Sequence, residues 1–195
     1  MDGYRIIESW TRKGSRVLVL ACGEGEIIKR LEAVKKDTVL QGIDIDEKKV
    51  AKAISSGLSV VQGDINKDIF DYQDKSFDLV IADDILQLTD YPDRVLLQLL
   101  KIGKKVMVSF PNFAYLKIRL TILLLGRMPK TDILPYDWYD TPNIHLFTVR
   151  DFKDFCIKNT IKILMSRFIG AKGFNTRISP NLTAKFAYFL LKGSG

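Results

Sequence analysis

Cysteine and histidine are scarce in this chain, whose 195 residues include two of the first and one of the second. Cys22 and Cys156 fall in different segments and at no metal-ligand spacing, so neither a metal centre nor a disulfide framework is expected, and a reducing cytoplasm is the simpler setting. Long hydrophobic runs are missing too. The longest, "LTILLLG" at 120–126, follows Lys117 and Arg119 and falls short of the roughly 20 apolar residues a membrane span needs. The N-terminus "MDGYRIIESW" carries an acid early and no apolar core, so it does not read as a secretory leader. Although the net charge is +7, lysines alternate with acids ("DIDEKKVAK", "NKDIFDYQDK"), and no basic-aromatic stripe appears outside 113–130. That pattern describes a solvated surface rather than a nucleic-acid face. Internal repeats and low-complexity segments are also absent.

What is present is a chain of 47% apolar and 27% charged residues, long enough to bury one core without covalent staples. β-Branched runs alternate with helical periodicity five times. "RVLVLA", "TVLQGIDI", "LSVVQGDI", "FDLVIADD" and "KVMVSF" read as strands, and "EIIKRLEAV", "DEKKVAKAISSG" and "YPDRVLLQLLKIGK" read as helices between them. A short amphipathic helix, "YRIIESW", precedes them. This is the signature of an α/β fold with a mostly parallel sheet and helices on both faces. Beyond Phe110 the spacing predicts a helix over 111–126, a proline- and aromatic-rich loop, a helix capped by Thr148 and a sixth strand at 160–170. "KFAYFLLK" fits a seventh strand or a terminal helix. One domain over 1–192 is expected, with an insertion at about 112–147 serving as lid or partner surface and "GSG" at 193–195 outside the fold.

In such sheets ligands bind beyond the carboxyl ends of the strands. The first exit, Ala21-Cys22-Gly23-Glu24-Gly25-Glu26, is a turn whose glycines allow close backbone approach and expose amide donors at a helix start. Asp44 ends strand two about 20 residues later, the spacing of a carboxylate that accepts from ribose hydroxyls, while Asp46 suits a helix cap. Asp64, after strand three, is placed to accept from an adenine amine, with Ile45 and Ile65 on either side of the ring. Strand four ends in Asp83 and Asp84, which read either as partners of a cofactor's ammonium or sulfonium or as a solvated acidic turn.

The ordered series "VLVLACGEG", "GIDID", "QGDI", "FDLVIADDILQ" resembles the motifs of class I S-adenosylmethionine-dependent methyltransferases. "SFPNF", "GRMPKTDILPYDWYDTPNIHLFTVRDF" and "SPNLTA" extend the resemblance, over almost the whole chain, to the methionine biosynthesis protein MetW family. It implies a Rossmann-like seven-strand methyltransferase fold, S-adenosylmethionine or S-adenosylhomocysteine as ligand, and an association with homoserine O-acetyltransferase. The implied cofactor contacts are Ala21, Cys22, Gly23, Gly25, Asp44, Ile45, Asp64, Ile65 and Asp83. The family's first motif resembles "VLDLGCGDGE". This chain has Val19 for the acid and Ala21 for the first glycine, which weakens the expected hold on the cofactor's ammonium.

Catalytic residues are harder to name. An Asn-Pro-Pro-aromatic motif, as in amide-modifying methyltransferases, does not follow strand four; "FPN" follows strand five and reads as a turn. His145 is either a base beside the pocket or a structural histidine, and Tyr139, with Tyr136, Trp138 and Asp140, forms a lid wall or a partner contact. A nicotinamide-dependent oxidoreductase is disfavoured, since the glycine loop does not match G-x-G-x-x-G and no second domain follows.

Overall fold

The computed structural model describes residues 3–171, 176 and 178–193, so the last two residues of the expected tail lie outside it. Seven strands form one sheet: β1 (Arg16–Leu20), β2 (Val39–Asp44), β3 (Val60–Gln62), β4 (Leu79–Ala82), β5 (Val106–Pro111), β6 (Lys162–Ile169) and β7 (Phe186–Lys192). Their spatial order is β3-β2-β1-β4-β5-β7-β6. The first five run parallel, while β7 runs antiparallel to both β5 and β6. Chain order therefore reverses between β1 and β4, the crevice where ligands of such sheets bind.

Side chains alternate across each strand and sort the core into two layers. Val17 and Val19 of β1 join Ile6, Ile7 and Trp10 of α1 (Gly3–Trp10), Ile28 and Leu31 of α2 (Glu26–Val34), and Val50 and Ala53 of α3 (Glu47–Ser55). Leu18 and Leu20 face the other layer, with Leu96 and Leu99 of α4 (Pro92–Ile102) and Phe152 of α6 (Val149–Lys158). There Phe110 packs against Phe147, Phe152 and Phe189 at centroid distances of 4.5, 5.0 and 5.9 Å, fastening α6 to the sheet.

Helix starts follow their caps. Asp46 accepts from the Lys48 and Lys49 amides at α3, Thr148 and Asp151 form a reciprocal capping box at α6, and Pro92 opens α4. "KFAYFLLK" is a strand because it fills an interior slot, where hydrogen-bonded neighbours on both sides require extended backbone. α5 (Leu116–Leu125) begins later than the pattern predicts: Asn112 N donates to Lys185 O at 2.7 Å, and residues 113–115 turn before the helix. A one-turn helix, α7 (Pro180–Thr183), precedes β7. No helix among the described residues is long and apolar enough to cross a membrane.

Candidate functional site

The exit of β1 carries three left-handed residues, Ala21 (φ 46°), Gly23 (φ 55°) and Gly25 (φ 85°). The two glycines do different work. A Cβ on Gly25 would meet Leu58 Cδ1 at 2.1 Å, so this glycine lets α2 pack against the strand-three approach. A Cβ on Gly23 would meet nothing nearer than Lys49 Cδ at 4.0 Å, so its outer side is open to a ligand. Ala21 occupies a conformation that costs a side-chain-bearing residue roughly 1–2 kcal/mol. Cys22 is turned inward, its Sγ 2.5 Å from where a Gly42 Cβ would stand. Burial, reinforced by the Asp44 charge, pushes its thiol up to about 11, so it is a packing group and not a nucleophile.

Asp44 is the buried acid of this region, 6% exposed. Its Oδ2 accepts from Gly23 N at 2.7 Å and its Oδ1 from Asp46 N at 2.9 Å. Each oxygen retains a lone pair, so the carboxylate is aimed and held by backbone donors while still able to accept from two vicinal hydroxyls. Asp46, not Asp44, caps the start of α3.

Asp64 stands two residues beyond Gln62, the partner of Asp44 in the β2–β3 register. Its carboxylate accepts from Asn66 N at 2.9 Å and pairs with Lys67 Nζ at 3.2 Å. These contacts, the Asn66 amide foremost, hold it below the usual carboxylate range. Asp44 and Asp64 are linked through backbone, Gly63 N donating to Asp44 O at 2.9 Å, and no hydrogen bond joins their side chains. Ile45 is 66% exposed and offers a free apolar face, whereas Ile65 packs into the core, so the two isoleucines do not present equal surfaces to a ring. Val19, whose replacement of an acid weakened the expected ammonium contact, is fully buried between Gly42 and Ile81, with its side chain in the α1–α3 layer.

At the exit of β4, Ser109 of β5 joins two acids. Its Oγ donates to Asp83 Oδ1 at 2.5 Å and accepts from Asp84 N at 2.9 Å. Asp84 is left-handed at φ 55°, and the Gln87 side-chain amide donates to its carbonyl at 3.0 Å and to its carboxylate. Burial raises both carboxyls above their usual range, and the Asp83 charge adds to the effect on Asp84. Ser109 and Gln87 were not singled out from sequence. Neither residue type carries a spacing that marks it: strand pairing brings Ser109 of β5 to the acids, and the turn at 86–88 folds Gln87 back onto Asp84.

Asn112, at the turn that follows β5, is a hub. Fully buried, it donates to Asn181 O at 3.1 Å and Ala184 O at 2.9 Å, and accepts from the amides of Ala114 and Val149 at 3.2 Å each. It thereby joins the starts of α5 and α6 to α7.

His145 is half-buried, and its Nε2 lies 3.3 Å from Asp90 O. With Leu86, Asp93, Phe147, Asp151 and Phe155 it lines a cavity of about 290 Å³ between α4 and α6. Tyr139 is not in that cavity. It is 70% exposed, edge-on to Trp138 at 5.6 Å. α5 buries only Ile118, against Ile133 and Leu134, and leaves Leu123, Leu124 and Leu125 77%, 73% and 67% exposed. No group of histidine, cysteine and acidic side chains among the described residues is arranged to hold a metal.

Comparison with solved structures gives the same fold. An S-adenosylmethionine-dependent methyltransferase from Mesorhizobium loti superposes with TM-score 0.68 at 18% identity, over 97% of this chain and 95% of that one. The [4+2]-cyclase SpnF superposes with TM-score 0.70 at 16% identity, over 98% and 81%. At such identities the likeness establishes architecture, and the cyclase illustrates that this architecture serves more than one chemistry. In sequence, the chain is 30% identical over 149 residues to the bifunctional methionine biosynthesis protein MetXA/MetW of Rhodopirellula baltica, which covers 72% of this chain and 24% of that one. The chain thus spans about a quarter of the length of that fused relative. The family described as methionine biosynthesis protein MetW matches residues 1–191, and this chain belongs to it.

Proposed function

We propose that this protein binds S-adenosylmethionine or its demethylated product at the β1–β2 exits and acts in methionine biosynthesis through contact with homoserine O-acetyltransferase. The observation that carries the ligand assignment is the Asp44 carboxylate, buried, fixed by the Gly23 and Asp46 amides, and left with free lone pairs. That donor pattern suits a ribose diol. The open side of Gly23 leaves space for the backbone to meet the ligand, and the exposed Ile45 suits the face of an adenine. The residues present therefore fit the group, which when bound supplies an electrophilic methyl on sulfur. This chain's own residues orient the nucleoside.

The partner assignment rests on the fused relative, whose name joins MetXA with MetW, and on α5, an apolar helix standing in solvent. A surface of that kind is ordinarily covered by another protein. Two experiments test the proposal. Titration calorimetry with S-adenosylmethionine and S-adenosylhomocysteine should show saturable binding that Asp44→Ala abolishes. Size-exclusion chromatography with the acetyltransferase should show co-elution, with acetyl transfer to homoserine accelerated on mixing. Absence of heat, or independent elution with an unchanged rate, refutes the corresponding half.

A second reading, methyl transfer to a small molecule, draws on the His145-lined cavity between α4 and α6 as a place for an acceptor. It requires S-adenosylhomocysteine to form when candidate acceptors are supplied, and binding without turnover across a broad metabolite screen counts against it.

A further inference from the structure

The amino-terminal end of the sheet, opposite the glycine loop, holds a further cavity of about 270 Å³. It opens where β1, β4 and β5 begin. Asp78 N donates to Arg16 O at 2.8 Å and Val80 N to Lys105 O at 3.0 Å, so the approaches to these three strands meet at one level. Four cations line it, Arg12, Lys13, Lys104 and Lys105, against one acid, Asp78. They come from separate segments, and parallel strand pairing collects them where no run of charge announces the cluster. Asp78 offsets a single charge, its Oδ1 accepting from Lys104 Nζ at 2.8 Å and its Oδ2 from Arg16 N at 2.9 Å. Arg12, Lys13 and Lys105 have no acid partner among the described residues.

Hydrogen bonding supplies an independent observation. The acceptors around the cavity are engaged: Arg12 O takes the Ser15 hydroxyl at 2.6 Å, Ser15 O takes Val39 N at 2.9 Å, and Lys105 O takes Val80 N. Donors are left over. Trp10 lines the cavity at 7% exposure, and its indole N–H has no partner among the described residues. That nitrogen keeps access to solvent, since the fully enclosed side-chain polar atoms without a partner are Ser76 Oγ and Gln87 Oε1. The Lys13 and Gly14 amides likewise donate to no group of the described protein. An indole nitrogen donates and never accepts. Spare donors together with surplus positive charge select an anion rich in acceptor oxygens.

A phosphoryl group meets that description, with close to two negative charges near neutral pH and three strong acceptor oxygens. The Arg12 guanidinium matches its geometry with two parallel donors. The cavity is smaller than the roughly 300 Å³ of the least drug-sized sites, so it suits a phosphate or pyrophosphate unit rather than an entire nucleotide. Its only hydroxyl, Ser15, is committed to Arg12 O, and it contains no histidine or cysteine, so it is built to bind and not to react. We propose that this cavity is a binding site for a small phosphorylated anion, held by Arg12, Lys13 and Lys105 with the Trp10 indole as an added donor. Six residues of extended chain, about 20 Å, separate Ser15 from Ala21, and the proposal does not rest on the nucleoside reading.

The test uses the full chain carrying Trp138→Phe, which leaves Trp10 as the reporter because the chain has two tryptophans. Pyrophosphate titrated at constant ionic strength should change the Trp10 emission saturably, with half-saturation below about 1 mM. Arg12→Gln and Lys105→Gln should each weaken binding about tenfold to a hundredfold. Lys158→Gln removes the same charge from outside the cavity and should change it less than about twofold. Pyrophosphate should also raise the melting temperature of the parent and not that of Arg12→Gln, a readout that confirms both are folded. No saturation up to about 10 mM, or equal weakening by Lys158→Gln, overturns the site in favour of diffuse surface charge. A single-stranded RNA that binds at lower concentration than pyrophosphate and displaces it overturns the small-ligand assignment.

Discussion

Replacing Val19 by aspartate separates two geometries that the sequence leaves superimposed. If position 19 faced the ligand, the acid would restore a charge partner and tighten binding. The structure instead places Val19 at 0% exposure between β2 and β4, with its side chain in the layer beneath α1. An aspartyl carboxyl titrates near 3.9 in an unfolded chain, and one pH unit corresponds to 1.36 kcal/mol. Kept neutral at pH 7 inside an apolar layer, it costs about 4 kcal/mol over those roughly three pH units. Exchanging the valine side chain for a polar one adds about 1.5–2 kcal/mol. The sum, about 6 kcal/mol, is as large as the entire stability of many domains. The sign with pH follows from linkage. The folded carboxyl's value is raised, so the charge penalty is absent below the unfolded value and grows as pH rises through the window above it. Urea denaturation of parent and variant at pH 4 and pH 7 measures this directly. The difference between them should be about 1.5–2 kcal/mol at pH 4 and increase by about 4 kcal/mol at pH 7. A variant as stable as the parent at pH 7, and binding S-adenosylhomocysteine more tightly, would refute the core placement and return position 19 to the ligand.

Two other substitutions in this loop have opposite expected effects. Ala21→Gly relieves the left-handed alanine and should raise the melting temperature by a few degrees, about 1 kcal/mol, whereas Gly25→Ala forces a Cβ onto Leu58 and should lower stability by about 2–4 kcal/mol in the same melts. Asn112→Ala removes four buried hydrogen bonds and should cost about 3 kcal/mol or more by urea denaturation, with hydrogen exchange accelerated at the starts of α5 and α6 and in α7; an effect under 1 kcal/mol would remove its role as a hub. Asp83→Asn keeps an acceptor for Ser109 but has no charge to bury. Because burial raises the Asp83 carboxyl, ionising it costs the folded state at neutral pH, so the variant should be at least as stable as the parent at pH 8, with its advantage disappearing as pH falls below about 4. A variant less stable at pH 8 than at pH 4, each relative to the parent, would contradict the sign.

The fold was legible because its periodicity is carried by many residues at once. Five alternations of β-branched runs and amphipathic helices fix a mostly parallel sheet, and the ordered motifs fix the family over nearly the whole chain. Strand three reads longer in sequence than the Val60–Gln62 it forms, because Gly63 hands its amide to Asp44 and the chain turns there. "KFAYFLLK" is ambiguous alone, since burial on both faces suits a strand or a helix equally, and only its two neighbours decide. Among the site residues, Asp44 is readable from its distance to the glycine loop. The direction in which Val19 points is not, because strand alternation says which residues share a face but not which face meets the ligand. Ser109 and Asn112 matter through side-chain partners 25 to 72 residues away, and local spacing holds no trace of such pairings.

The placement of β7 between β5 and β6 has a consequence for how this protein is made. Of the seven described strands, the last in chain order takes an interior slot, so β5 must wait with an open flank until β7 has been translated. Until then the aromatic patch around Phe110 lacks Phe189, and β6 lacks its β7 partner. Nascent chains stalled before Tyr188 are therefore the species most exposed to chaperones and to mispairing, and the finished sheet closes late and in one step.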